Sequence, residues 1–338
     1  MAYLTSAQRF DVVSVGDVAS DLFIRLADDA VTERVDERGR WLEIPFGAKV
    51  PFDRGPTVSA GGSAANAAVA MARLGLRVSL AAFLAHDDVG FGLLGALHAE
   101  GVDTRLVHLD DPAHTNRDFV LLFRGERTIF VSREEFDYHW PHLRPSEVPA
   151  WLYVTSLGRG ARHYEDQIAD WLGENPSVKL ALQPGTFQIE AGAARLARLY
   201  TRADALVCSR SDAAAIGGAP AGEPAALLES LLALGPATVV VVDEVGGAVA
   251  SDGTTRFEVP AFPDSSAPLD RTGATDAFAA TLCSALVAGA SLTEALRRSP
   301  LNYMSVSHEL GSQAGLLKAR ALDEELAEAT ASYAVTTW

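Results

Sequence analysis

The chain has 338 residues and a formal net charge of −16. A surface that binds nucleic acid or an anionic membrane needs clustered lysine and arginine, so this charge argues against both kinds of partner. The length is sufficient for one large α/β domain with a smaller lid, and we expect residues 1–338 to form a single domain. An anionic ligand must then be bound by local backbone N–H groups and a metal ion, because the electrostatic field of the whole protein would repel it.

The cysteines and the amino-terminal segment indicate the compartment. Residues 1–10 lack the charged start and apolar core of a secretion signal, and no apolar run approaches the roughly 18 to 20 residues of a membrane span. Cys208 and Cys283 both lie in apolar runs, so we expect two buried thiols rather than a disulfide. These features predict a cytoplasmic protein.

Apolar runs rich in β-branched residues alternate with helical patterns along the chain. The predicted strands are residues 12–15, 78–83, 152–155, 179–182, 205–208 and 238–242. The predicted helices are residues 64–74, 91–100, 164–172, 193–200, 225–234 and 277–288, and residues 324–338 are expected to form a helix with a frayed end. Continuously apolar strands are typical of a sheet covered on both faces. The pattern therefore predicts an α/β fold, a three-layer α/β/α sandwich with a mainly parallel central sheet.

The first motif precedes the helix predicted at residues 64–74 and reads Gly-Gly-Ser-Ala-Ala-Asn, from Gly61 to Asn66. Two glycines let the backbone approach a ligand closely, and the Asn66 amide can donate to and accept from a hydroxyl group. The motif therefore indicates a site for a ligand rich in hydroxyl groups. The alternative is an ordinary glycine turn before a helix, with Asn66 capping the helix or solvated.

The second motif, at residues 270–278, reads Asp-Arg-Thr-Gly-Ala-Thr-Asp-Ala-Phe. A turn of small residues that enters an apolar helix leaves backbone N–H groups unpaired, and the helix dipole favours an anion there. Asp276 would lie in the first helical turn, close enough to take a proton from a hydroxyl group that attacks a phosphate. The alternative is an ordinary helix start capped by Thr272 or Thr275.

Together and in this order, the two motifs resemble those of the ribokinase-like (PfkB) family of sugar and nucleoside kinases. Further segments resemble the family along nearly the whole chain: residues 12–21, read as a first strand that ends in Asp21, and residues 85–90, 100–104, 183–186, 209–212, 242–247, 302 and 311–313. The resemblance implies phosphoryl transfer from ATP, with Mg²⁺, to a hydroxyl group of a sugar or nucleoside.

The resemblance also implies a role for each matching residue. Asp276 would be the general base, and Gly273, Ala274, Thr275 and Asp276 would offer backbone N–H groups to the transferring phosphate. The substrate would be held by Asp21, Gly61, Gly62 and Asn66, and the nucleotide by Ser209, Asp243, Glu244, Gly247 and Asn302. Asp212 would act through water on Mg²⁺, and Asp270, Thr272 and Gly311 would lie near a monovalent cation such as K⁺.

Residues 24–58 and 115–136 do not follow the α/β alternation. They contain short strand-like pieces broken by glycine, proline and charged residues. The resemblance implies that they pair into a small β-sheet lid over the substrate, through which two copies of the chain would form a homodimer. The alternative is a pair of long surface loops, which compact domains seldom contain.

The chain departs from the family pattern at several positions, all on the nucleotide side. Thr275 stands where the family usually has glycine, Ser209 where it has asparagine, and Val242 and Glu244 where it has threonine and glycine. The Glu244 carboxylate would repel approaching phosphates. Two hypotheses follow: a working kinase, or a sugar- or nucleoside-binding member of the same fold that no longer transfers phosphate.

Overall fold

A computed structural model of the protein describes residues 9–37, 39–111, 114–124, 126–264 and 266–338. Residues 1–8, which carry most of the prediction about the amino-terminal segment, lie outside the described residues. The strands in chain order are β1 (Val12–Val15), β2 (Ala19–Leu26), β3 (Thr32–Asp36), β4 (Gly39–Glu43), β5 (Phe52–Gly61), β6 (Val78–Ala81), β7 (Phe83–Ala85), β8 (His108–Asp110), β9 (Arg117–Phe123), β10 (Glu126–Val131), β11 (Trp151–Val154), β12 (Lys179–Leu182), β13 (Ala205–Ser209), β14 (Val239–Val242), β15 (Ala248–Ser251), β16 (Arg256–Val259) and β17 (Thr336–Thr337).

The helices accompany these strands in the alternating order that the sequence predicts for an α/β fold. They are α1 (Ser63–Arg73), α2 (Asp88–Ala99), α3 (Arg162–Glu174), α4 (Thr186–Glu190), α5 (Ala197–Arg202), α6 (Arg210–Gly217), α7 (Pro224–Leu232), α8 (Ala274–Val287), α9 (Leu292–Ser307) and α10 (Ala319–Glu328). All six predicted helices are present within a few residues, except that the segment predicted at 193–200 begins as a 3₁₀ turn before α5.

Within the described residues, one nine-stranded sheet forms the centre of the molecule, in the order β17-β16-β15-β14-β13-β12-β11-β1-β6. Six strands of this sheet, β6, β1, β11, β12, β13 and β14, run parallel to one another. The strands β15, β16 and β17 continue the sheet with antiparallel pairing. Buried side chains form one core on each face of the sheet. The predicted three-layer sandwich with a mainly parallel sheet is confirmed.

Each core contains the strand residues that point to its side. Val12, Leu80 and Tyr153 pack with α1, α8 and α9 on one face, whereas Val13 and Leu152 pack with α3, α5, α6 and α7 on the other. Successive strand residues face opposite sides, and both sides are apolar, which explains the absence of polar alternation in these strands. Cys208 and Cys283 are free and buried, as predicted.

A second, four-stranded sheet has the order β10-β9-β2-β5, and β3 pairs with β4 as a separate hairpin beside it. This small sheet corresponds to the predicted lid, but it begins at Ala19 rather than at residue 24. Residues 12–21 are therefore not one strand that ends in Asp21. The chain leaves the central sheet after Val15, turns through Gly16, and Asp21 lies on a strand of the small sheet.

The carboxyl-terminal segment also differs from its prediction. Helix α10 ends at Glu328, and Thr336 and Thr337 then pair with Glu258 and Phe257 at the edge of the central sheet. Two strand residues at a sheet edge have no periodicity of their own, so only the long-range pairing defines them. The predicted frayed helical end is wrong for these residues.

Parallel strands bring their carboxyl ends to the same edge of the sheet, and in open α/β sheets ligands bind outside that edge. Asp17 follows β1, Gln183 follows β12, Ser209 ends β13 and Asp243 follows β14. The chain passes from the central sheet to the small sheet at this same edge, between the end of β1 and the start of β2. Most of the residues predicted from sequence therefore lie at or near one edge.

Candidate active site

The turn before α8 is open to an anion. Gly273 has a left-handed φ of 76°, and a Cβ on it would lie 2.4 Å from Ser312 Cβ, so both the backbone and the packing require glycine. Among the described residues, no side chain caps the helix, and the Thr272 hydroxyl donates to Asp270 instead. Capping by Thr272 or Thr275 is therefore not observed. The Ala274 N–H group donates to the Arg271 backbone oxygen at 3.2 Å, and the next N–H groups of α8, those of Thr275 and Asp276, remain available.

Thr275 does not need the freedom of glycine. It lies in the first turn of α8, outside the left-handed region, which among these turn residues is occupied by Gly273. A β-branched side chain is tolerated in a helical conformation at modest cost. The departure from the family pattern at this position is therefore compatible with the backbone of the turn.

Asp276 lies in the first turn of α8 and is buried. Its Oδ2 accepts a hydrogen bond from Asn66 Nδ2 at 2.8 Å, and its Oδ1 accepts one from Gln183 Nε2 at 2.9 Å. Burial raises the pKa of Asp276, whereas hydrogen bonds from Asn66, Gln183 and Ser63 act to lower it. The result is a fixed carboxylate with an increased tendency to accept a proton.

Asn66 belongs to α1 and connects Asp276 to the late part of the chain. Its Oδ1 accepts hydrogen bonds from Ser312 Oγ at 2.8 Å and from Gln313 Nε2 at 3.1 Å. Three segments that are far apart in sequence thus meet at one amide. Asn66 does not cap α1, because Gly62 occupies the N-cap position without a side chain.

Gln183 contacts Asp276 directly, and Tyr153 contacts Gln183. Neither residue was among those predicted for the site. The Tyr153 hydroxyl donates to Gln183 Oε1, which leaves Gln183 Nε2 to donate to Asp276. A chain of two hydrogen bonds thus runs from Tyr153 on β11 through Gln183 to Asp276 on α8, with a defined donor and acceptor at each step. The signal in the sequence was the position of Gln183, directly after a predicted strand of the parallel sheet.

The glycine pair brings the start of α1 close to Asp17 and Asp21. A Cβ on Gly61 would lie 2.5 Å from Asp21 Oδ2, and a Cβ on Gly62 would lie 2.9 Å from the backbone oxygen of Asp17. Gly62 also has a positive φ of 88°. Any other residue at either position would displace the loop or one of the two aspartates.

Asp21 lies on one face of the small sheet, beside a second carboxylate. Asp21 on β2 and Asp118 on β9 are in register, so their side chains share a face. Burial raises the pKa of Asp21 to about 7, the charges of Asp118, Asp270 and Asp276 add to the rise, and Arg133 opposes it. The influence of Asp276 places Asp21 in the same electrostatic environment as that buried carboxylate.

Arg133, Asp118 and Asp17 were not predicted for the site. Arg133 binds Asp118 through both terminal nitrogens, with Nη2 to Oδ2 at 2.9 Å. Asp17 accepts a hydrogen bond from the Tyr138 hydroxyl at 2.8 Å, and burial raises the pKa of Asp17 to about 6. The available signal was Asp118 itself, a charged residue at a position of β9 that the strand pattern places inward.

The residues predicted for the nucleotide lie at the ends of β13 and β14. Ser209 caps α6 by accepting from the Asp212 backbone N–H at 3.1 Å, and its hydroxyl donates to Asp212 Oδ2 at 2.7 Å. Asp243 Oδ1 accepts from the backbone N–H of Gly247 at 2.8 Å, which closes the turn. Glu244 lies at the tip of this turn and is exposed.

Asn302 is fully buried in α9 and does not face that turn. Its Nδ2 donates to Thr281 Oγ1 at 2.9 Å, and its Oδ1 accepts from the Leu317 backbone N–H at 3.0 Å. In this conformation the side chain connects α9 to α8 and to the late segment. The structure thus brings Ser209, Asp212, Asp243 and Glu244 to the sheet edge but leaves the Asn302 side chain in the interior.

Asp270, Thr272 and Gly311 were predicted near a monovalent cation, and they contact one another. Asp270 Oδ1 accepts from the Thr272 backbone N–H at 2.9 Å, from Thr272 Oγ1 at 2.7 Å and from Arg127 Nη1 at 3.2 Å. Asp270 Oδ2 accepts from the Gly311 backbone N–H at 3.1 Å. The carboxylate is saturated with donors and paired with a guanidinium group, so it does not fit a cation ligand in this conformation.

Comparison with known proteins agrees with this geometry. The profile of the pfkB family of carbohydrate kinases matches residues 44–301. The chain belongs to this family. It is 26% identical to a 2-dehydro-3-deoxygalactonokinase of Haloferax volcanii over 273 residues, which cover 75% of this chain and 84% of the relative. A probable fructokinase-3 of Arabidopsis thaliana is 40% identical over 74 residues, and the match spans only 21% of that relative's length.

A solved structure of Arabidopsis thaliana ribokinase in complex with ribose and ATP has the same fold. The TM-score is 0.77 at 19% sequence identity, and the match covers 94% of this chain and 99% of the ribokinase chain. At that identity the likeness shows the fold alone. Among the described residues of this pfkB-family chain, no helix combines the length and the apolar character that a membrane crossing requires.

Mg²⁺ is the metal that the resemblance implies for this kinase family. Within the described ranges, no group of three or more His, Cys, Asp or Glu side chains is arranged to hold a metal ion. Mg²⁺ that arrives with a nucleotide needs only one or two carboxylates, because phosphate oxygens and water complete its octahedron. Asp212, a single, partly exposed carboxylate at the sheet edge, fits that arrangement.

The raised pKa of Asp21 has a measurable effect on stability. Its ionised form is stabilised less in the folded protein than in the unfolded chain, so the stability of the protein falls as pH rises from about 4 to about 7. Asp21→Asn removes this cost. We expect its melting temperature to exceed that of the parent by several degrees at pH 8, and the difference to vanish near pH 4.

Asp118→Asn is the matched control on the same face of the small sheet. It removes a carboxylate that is paired with Arg133 and leaves a guanidinium group buried without its partner, so its melting temperature should fall at pH 8. Thermal unfolding of the parent and both variants from pH 4 to pH 8 gives the comparison. A lower melting temperature for Asp21→Asn at pH 8 would contradict the assigned environment of Asp21.

Proposed function

We propose that the protein is a sugar or nucleoside kinase that transfers the γ-phosphoryl group of ATP to a substrate hydroxyl group, with Asp276 as the general base. The observation that carries the proposal is the pairing of a buried carboxylate with an uncapped helix start. Asp276 and the N–H groups of Gly273 and Thr275 belong to the same turn. A base and an anion hole held this close suit phosphoryl transfer, which needs positioning and charge stabilisation above all.

The contacts of Asp276 support the role of a base. Asn66 and Gln183 donate to opposite carboxylate oxygens and Ser63 adds a third hydrogen bond, so the carboxylate is oriented and one acceptor position remains for a substrate hydroxyl group. The pKa of Asp276 is raised by burial, which brings it closer to the pH of the reaction. The N–H groups of Gly273, Ala274, Thr275 and Asp276 would stabilise the charge on the transferring phosphate.

The substrate would lie between the small sheet and α1. Asp21, Gly61, Gly62 and Asn66 would hold it, with carboxylate and amide groups that match the donors and acceptors of hydroxyl groups. Asp17 and Asp118 add two further carboxylates on this side. The ribose in the Arabidopsis ribokinase complex supports a polyhydroxylated acceptor of this kind.

The nucleotide would lie over the ends of β13 and β14, near Ser209, Asp243, Glu244 and Gly247, with Mg²⁺ held through Asp212 and the phosphates. Asn302 would contribute by holding α9 in place. A monovalent cation near Asp270, Thr272 and Gly311 would bind only after Arg127 leaves Asp270, because Arg127 neutralises this carboxylate in the present conformation. In the alternative, a silent member of the fold binds its sugar or nucleoside without transferring phosphate, and Glu244 at the turn tip is the feature that favours it.

Calorimetric titration with ATP and Mg²⁺ separates the two functions. A working kinase should bind the nucleotide with a dissociation constant below the millimolar range and should release ADP when a suitable sugar or nucleoside is added. A screen of pentoses, hexoses and nucleosides by thermal shift identifies the acceptor, since a bound ligand stabilises the folded state. No nucleotide binding at millimolar concentration would rule out the kinase and leave the binding protein.

Asp276→Asn tests the base. It should lower kcat by about 10²-fold or more, the usual scale for loss of a general base, while ATP binding persists. In the parent, kcat should fall as pH decreases through the raised pKa of Asp276, because a protonated carboxyl group cannot accept the proton. Steady-state kinetics across pH measures both effects.

Asp11→Asn is the control for this variant. Asp11 precedes β1 at the opposite, amino-terminal edge of the central sheet, where it binds Arg77. The control should keep the parent kcat and the parent pH profile. An Asp276→Asn protein with a native melting temperature and unchanged kcat would remove Asp276 from its role.

We also propose that two copies associate through the outer face of the small sheet. Phe119 and Phe130 are paired across β9 and β10 and are 37% and 56% exposed. An exposed aromatic pair on a sheet face is typical of an association surface. The cytoplasmic location stays a prediction, supported by the two buried free thiols.

Light scattering during size-exclusion chromatography tests the association. The parent should have twice the mass of one 35.8 kDa chain, and Phe130→Asp should shift it to the monomer. Phe91→Asp, which introduces the same charge at an exposed phenylalanine of α2, should leave the mass unchanged. A monomeric parent at micromolar concentration would contradict the proposed interface.

A further inference from the structure

A cavity of about 410 Å³ lies between the small sheet and the segment that precedes α8. Four arginines line it, Arg25, Arg124 and Arg127 from the small sheet and Arg271 from the opposite side. This concentration of positive charge is unusual in a chain with a net charge of −16. Residues of the same sign gather at one place against the overall balance when a ligand of opposite charge binds there.

Not all of these arginines are neutralised by the protein. Each acidic residue that lines the cavity has an arginine within 4 Å: the pairs are Asp28 with Arg124, Glu126 with Arg40 and Asp270 with Arg127. Arg25 and Arg271 have no acidic partner within 4 Å in the part of the chain that the structure describes. The four arginines and three acidic residues that line the cavity give it a net charge of +1, and Arg25 and Arg271 are the lining arginines without an ion pair among the described residues.

The register of the small sheet places these groups relative to the substrate side. Arg25 on β2, Leu122 on β9 and Arg127 on β10 are in register, on the same face as Asp21. Side chains four residues apart on one strand are separated by about 13 Å. The cavity side of the sheet is thus acidic at one end, near Asp276, and basic at the other.

Arg271 lines the cavity from the segment that precedes α8, opposite the small sheet. It directly precedes Thr272 and Gly273, so a group bound at Arg271 lies next to the open turn of α8. The partner of Arg127, Asp270, joins the two walls. The cavity therefore ends, at Arg271, two residues before Gly273 of the turn that precedes α8.

We propose that Arg25 and Arg271 bind a phosphoryl group in this cavity, an inference that rests on the kinase function proposed above. A guanidinium group can donate two parallel hydrogen bonds to phosphate oxygens, and Arg25 and Arg271, which have no ion pair among the described residues, face the cavity from opposite sides. Two sources supply such a group. One is the polyphosphate of the nucleotide, and the other is a phosphate already present on the acceptor sugar.

The variants Arg25→Ala and Arg271→Ala test the cavity, with Arg117→Ala as the control. Arg117 is an exposed arginine of the same sheet, but its position in β9 places it on the opposite face. Calorimetry measures the binding of inorganic phosphate, MgATP and adenosine to each protein. Both cavity variants should bind phosphate or MgATP about tenfold more weakly than the parent, with adenosine unaffected, and Arg117→Ala should match the parent.

A second titration identifies the source of the phosphoryl group. Inorganic phosphate is titrated into the parent saturated with a non-hydrolysable ATP analogue and Mg²⁺. Phosphate binding that the analogue abolishes assigns the cavity to the nucleotide, and arginine-dependent phosphate binding that persists assigns it to a phosphorylated acceptor.

The outcomes also separate this inference from the kinase proposal. Phosphate binding that depends on Arg25 and Arg271 without any binding of MgATP would uphold the cavity and reject the kinase. Phosphate and MgATP affinities that are the same in the parent and in both cavity variants, or a parent that binds neither compound, would overturn the inference.

Discussion

The structure of the site depends on one buried carboxylate and the two amides that donate to it. A carboxylate without partners is too costly to bury, so Asp276 can lie behind the turn only if Asn66 and Gln183 reach it. Asn66 comes from α1 and Gln183 from the end of β12. The position of Asp276 is therefore decided by how a helix and a strand pack against α8.

Small residues make that packing close enough. Helix α1 reads Ser-Ala-Ala-Asn-Ala-Ala-Val-Ala-Met-Ala-Arg, and α8 is similarly rich in alanine. Both helices lie in the same core, where their alanines are buried. Short side chains allow two helix axes to approach, and the short amide of Asn66 can then span the gap to Asp276. Larger residues on either helix would separate the Asp276 carboxylate from the Asn66 amide.

The small sheet adds a second constraint because its cavity side has two electrostatic ends. Asp21 and Asp118 lie at the end near Asp276, and Arg25 and Arg127 lie farther along the same face of the sheet. Burial raises the pKa of Asp21, so its charge is costly until a ligand donates to it. A polyhydroxylated molecule satisfies the acidic end, and an anionic group satisfies the basic end. The same sheet thus favours a ligand with both properties, or two ligands side by side.

The sequence by itself determined the α/β class, the order of the main strands and helices, and the two motifs around Asn66 and Asp276. Those features are local: they depend on continuous apolar runs, on glycines before helices and on an acid in a first turn. The contacts of Tyr153 with Gln183, of Arg127 with Asp270 and of Arg133 with Asp118 join residues 15 to 143 positions apart, and no local pattern contains them. The strand at Thr336–Thr337 and the departure of β2 from the central sheet were also set by pairing at a distance. Only the tertiary structure decided these, because hydrogen-bond partners and buried charges are chosen by which surfaces meet after the chain has folded.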